Sequence, residues 1–81
     1  MTPREWVGCV VMVRDPRGSG WCVTIRRAWK GKRTGRLTRV AFVNGDPATR
    51  QHEQRWTVTG VERRASGEFA GLRVLVLGRP W

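Results

Sequence analysis

Acidic residues are scarce in this chain: six Asp and Glu stand against sixteen Lys and Arg, with a single His and two Cys. Each shortage excludes something. There is no CxxC pair, and His52 lies thirty residues beyond Cys22, so the spacing of a zinc site is missing. The carboxylates Glu5, Asp15, Asp46, Glu53, Glu62 and Glu68 are scattered, mostly near turns, and are not paired for acid–base work. No GxxxxGKS/T, HExxH or GxSxG motif occurs. His52 reads as a surface residue in a polar loop. The expectation is a protein that is not an enzyme and holds no metal or cofactor.

Long apolar runs are missing too. The longest, Cys9–Val13, is far short of a membrane span. Met1–Glu5 carries no apolar signal segment. These absences predict a cytoplasmic protein whose thiols stay reduced, with Cys22 as a buried structural thiol. No heptads, solenoid-length repeats or low-complexity tracts appear.

What the chain does contain is strand-and-turn patterning. Its 81 residues suffice for one domain, 1–81, with a compact core. Short runs rich in β-branched residues are punctuated by Gly, Pro, Asp, Asn and Ser. The first run is Trp6–Arg14, with Val7, Cys9, Val11 and Val13 on one face. A turn follows at Asp15-Pro16-Arg17-Gly18-Ser19-Gly20. In the second run, Trp21–Lys30, Trp21, Val23 and Ile25 alternate with Cys22, Thr24 and Arg26. The third is Leu37–Asn44, closed by Asn44-Gly45-Asp46-Pro47. Thr49–Gln54 reads as a loop or one helical turn capped by Asp46. The fourth run is Trp56–Arg63, with a bulge or bend at Gly60, and the fifth is Leu72–Leu77. Five short strands without a long helix predict an all-β fold, a small five-stranded barrel whose closure removes exposed edges. An SH3-like barrel is favoured over an OB-like one, because Thr49–Gln54 is a poor helix to place between the third and fourth strands.

Charge gives the functional signal. The net charge is +10, and seven of those charges fall between residues 26 and 39: Arg26, Arg27, Lys30, Lys32, Arg33, Arg36 and Arg39, with no acid among them. A GC-rich coding bias would explain the preference for Arg over Lys but not the shortage of acids. The second and third strands, about 21–44, are expected to form a basic β-hairpin. Arginine forks hold phosphate bidentately, and neutralised phosphates release counterions. Backbone N–H groups near Gly31 and Gly35 are further expected anion contacts. Trp29 lies inside the basic run, where an indole can stack a base. Packing at the barrel core or rim is preferred for it, as for Trp6, Trp21 and Trp56. Trp81 is either exposed or docked on the barrel.

The pattern predicts a nucleic-acid-binding protein. Its candidate contacts are Arg26, Arg27, Trp29, Lys30, Lys32, Arg33, Arg36 and Arg39. DNA is favoured over RNA, since a β-ribbon fits the B-form major groove but not the narrow A-form one. The competing reading is a small adaptor, phage- or plasmid-encoded in one version, that binds an acidic protein partner. A third is a structural component of a ribonucleoprotein or virion. A cationic hairpin can also simply be a solvated one, protected by charge from edge pairing. Monomer and homodimer are both compatible with the sequence.

Overall fold

The computed structural model describes residues 3–44, 53–67 and 70–81. A short 3-10 helix at Pro3–Trp6 precedes five strands: β1 (Val10–Arg14), β2 (Gly20–Lys30), β3 (Leu37–Val43), β4 (Gln54–Arg63) and β5 (Arg73–Pro80). They close into a barrel in simple chain order. Each strand runs antiparallel to the one before it. An odd number of alternating strands leaves the first and last pointing the same way. The seam is therefore parallel, pairing Met12 with Val74 and Val13 with Leu75. The all-β, five-stranded barrel expected from the patterning is what forms. Its SH3-like and OB-like variants are not separated by this architecture. No helix among the described residues is long and apolar enough to cross a membrane.

Alternation fills the interior. Val11 and Val13 come from β1, Val23 and Ile25 from β2, Val40 and Phe42 from β3, and Leu75 and Leu77 from β5. Trp6 plugs the end of the barrel where β1 begins, and Trp21 and Trp56 pack in from strand starts at the opposite end. The Asp15 turn forms as read: its Oδ1 accepts from the N–H groups of Arg17 and Ser19 at 3.0 and 2.9 Å.

Several sequence expectations are corrected. The first strand starts at Val10 and not at Trp6, because Gly8 takes a positive φ of 85° and turns the chain. That turn swings Trp6 over the barrel and leaves Val7 exposed. Cys22 is exposed, not buried, since it lies between the inward-facing Trp21 and Val23. The stretch 45–52, with His52 and most of the Thr49–Gln54 segment, lies outside the described residues.

The last strand runs beyond Leu77 to Pro80 because Gly78 admits a close approach of β4. A Cβ at Gly78 would lie 2.6 Å from Thr57 Oγ1 and 2.9 Å from Thr59 Cγ2. The same Thr57 hydroxyl accepts from Arg79 N–H at 2.9 Å and donates to Arg79 C=O at 3.3 Å. Two register shifts flank this spot on β4. Gly78→Ala is expected to destabilise the fold by about 1–3 kcal/mol, as for other overpacked sites. Urea denaturation measures it; an unchanged midpoint would mean the threonines move aside without cost.

Candidate nucleic-acid interface

One extra residue in β2 decides which way the basic run faces. Ile25 pairs with Phe42 and Arg27 pairs with Ala41, so Arg26 is the unpaired residue of a bulge. Ile25 and Ala28 both face the core although they are three residues apart. Without the bulge, the alternation begun at Trp21 would have turned Arg27 and Trp29 inward. With it, both leave the interior. Trp29 is accordingly on the outer face, and Trp6 is the indole that plugs the barrel end above it.

Across the outer face, Arg27 on β2, Ala41 on β3 and Arg55 on β4 form one row. Trp29, Arg39 and Thr57 form the next. Ala41, flanked by the long side chains of Arg27 and Arg55, is fully buried. The chain beyond β5 adds Trp81 to this surface, its N–H donating to Arg55 C=O at 3.1 Å. Its ring meets Trp29 edge-on, with centroids 5.2 Å apart and planes at 81°. The guanidinium carbons of Arg39 and Arg55 lie 5.0 and 5.5 Å from the Trp81 centroid. Two cations thus share one indole.

Glu53 is the one carboxylate, among the described residues, ion-paired to this cluster. It lies 3.8 Å from Arg26 Nε and 3.5 Å from Arg55 Nε. Arg26 and Arg55 are therefore partly neutralised, whereas Arg27 and Arg39 have no ion pair among the described residues. Beside the cluster, Arg4 and Val7 form the far wall of an open groove of about 450 Å³ whose near wall is Arg26, Arg27, Ala28 and Trp29. A larger groove, about 640 Å³, lies between the hairpin turn and β4, with Trp6, Leu37, Val58 and Val61 on its walls and Arg36 as its charged residue.

The remaining candidates, Lys30, Lys32, Arg33 and Arg36, are exposed at and around the turn joining β2 to β3. The turn is closed by its own backbone. Gly31 N–H donates to Arg36 C=O at 2.8 Å and Gly35 N–H to Gly31 C=O at 3.0 Å. Arg36 N–H donates to Thr34 Oγ1 at 3.2 Å. The amides of Gly31 and Gly35 themselves are thus engaged within the turn, so the expected backbone contacts with an anion fall to their neighbours, beside the exposed side chains.

The hairpin is also less of a finger than its charge pattern implies. β3 pairs with β4 from Arg39 to Phe42, so its stem belongs to the barrel wall. Arg55, Trp81 and Arg4 were not among the sequence candidates. Arg55 could have been found by period, since it adjoins the core-packed Trp56 and must point the other way. No local signal marks Trp81 or Arg4, which reach the surface only through the folded chain path. Comparisons with family models, with curated proteins and with solved structures returned no match to this chain.

Proposed function

We propose that this domain binds nucleic acid, without catalysis, through the outer face of β2, β3 and β4 and the adjoining turn. The observation that carries the reading is the cluster of Arg27, Arg39 and Arg55 around Trp29 and Trp81, in which Arg27 and Arg39 hold no ion pair among the described residues and Arg55 shares Glu53 with Arg26. Guanidinium groups beside indoles suit a ligand that offers both phosphates and π-faces. The exposed cations of the turn extend the positive surface, so a polyanion is attracted at long range as well as held on contact.

Titration of labelled DNA and RNA by fluorescence anisotropy over a series of salt concentrations tests the proposal. If four to six phosphates are engaged, log K is expected to fall against log[salt] with a slope of roughly −3 to −5. Absence of binding, or binding indifferent to salt, would refute it. Recovery of one acidic protein in place of nucleic acid, after nuclease treatment, would favour the adaptor reading.

A further inference from the structure

We infer that the ligand of this face is single-stranded nucleic acid, with an unpaired base stacked on the indole of Trp81 and flanking phosphates held by Arg27, Arg39 and Arg55. This deepens the nucleic-acid reading above and rests on it.

The two indoles that carry cations differ in kind. Trp6 is 5% exposed and has the Arg73 guanidinium carbon 4.0 Å from its centroid, a closed contact that belongs to the core. Trp81 is 44% exposed, and its two guanidinium carbons stand off at 5.0 and 5.5 Å. Edge-on support from Trp29 fixes the orientation of the Trp81 ring while leaving it open to solvent. A base arriving at this ring exchanges an exposed cation–π contact for a stacked one, and the displaced guanidinium turns to a neighbouring phosphate. The arginines that flank the indole therefore complement both halves of a nucleotide.

Width argues against a duplex. A B-form major groove, about 12 Å wide, admits a two-stranded ribbon. Here the arginines of the Trp81 cluster lie on three adjacent strands, whose backbones alone span about 10 Å at the usual sheet spacing. Side chains on both flanks make the wall too broad to enter. In a duplex the bases present their edges, and their faces are covered by neighbouring pairs. A strand with free bases can lie across the wall and offer a face to Trp81.

The test is anisotropy titration of three ligands of about 15 nucleotides, within the span that one small barrel covers. They are a single strand of DNA or RNA, a duplex, and a strand with abasic sites in place of its central bases. Single strands are expected to bind at least tenfold more tightly than the duplex. Trp81→Ala is expected to weaken single-strand binding by about 5- to 150-fold, the range for one lost stacked base, while Trp81→Phe retains most of the affinity. The wild-type protein should lose a similar factor on the abasic strand, a readout that does not depend on how the variants fold. A preference between deoxyribose and ribose strands identifies the natural ligand. Equal affinity for intact and abasic strands, or tighter binding of the duplex, overturns this inference and leaves the broader proposal standing. Failure to bind any nucleic acid overturns both.

Discussion

Phe42→Ala is expected to remove about 3–5 kcal/mol of folding stability, the usual cost of deleting a buried aromatic ring. Phe42 is fully buried on β3, the middle strand of the order, and is paired with Ile25 on one side and Gln54 on the other. Its ring also receives Trp21 edge-on at 6.4 Å, and Trp21 is in turn tethered through its indole N–H to Asn44 Oδ1 at 3.0 Å. A domain of this size has only about 4–12 kcal/mol of stability in total. Loss of the ring therefore takes a large share of it, and the cavity cannot collapse easily inside a closed wall. Thermal melting followed by circular dichroism should show the midpoint fall by on the order of 12–40 °C. A fall of only a few degrees would show that the barrel relaxes around the void and that Phe42 is not its centre.

The second large effect is on binding. Reversing the charge at Lys32, Arg33 and Arg36 together (K32E, R33E, R36E) would lower the net charge from +10 by six to +4. Losing three phosphate contacts should weaken binding by about 50- to 150-fold at 0.15 M salt, from the counterion-release slope alone. The introduced carboxylates repel phosphate and add to that loss. These side chains are exposed and hold no ion pair among the described residues, so the barrel has no need of them. Less self-repulsion should leave the melting temperature unchanged or slightly raised. Affinity is read by anisotropy and folding by circular dichroism on the same sample. Unaltered affinity in a folded triple variant would remove the turn from the binding surface and confine any site to the Trp81 cluster.

Much of the barrel was legible because its signals are local. The alternation of Trp21, Val23 and Ile25, the turn at Asp15-Pro16 and the β-branched runs are properties of neighbouring residues, and a strand's two faces follow from its pleat. The errors cluster where one residue interrupts that period. Gly8 ends the pattern before β1, so Val7 is exposed instead of sharing a face with Val11. Cys22 shows the converse: its exposure follows directly from alternation, which outweighs the general tendency of thiols to be buried.

By itself the sequence determined that this chain would build short strands around a β-branched core, and that its positive charge would concentrate near the join of β2 and β3. Both are sums over adjacent residues and need no knowledge of partners. Tertiary structure alone decided the bulge at Arg26, which turns Arg27 and Trp29 outward, and the meeting of Trp29 with Trp81 and of Arg26 with Glu53. Those outcomes depend on strand register and on closure of the sheet. They join residues far apart in the chain, where a one-residue slip reverses the face, and composition and periodicity cannot specify such a slip.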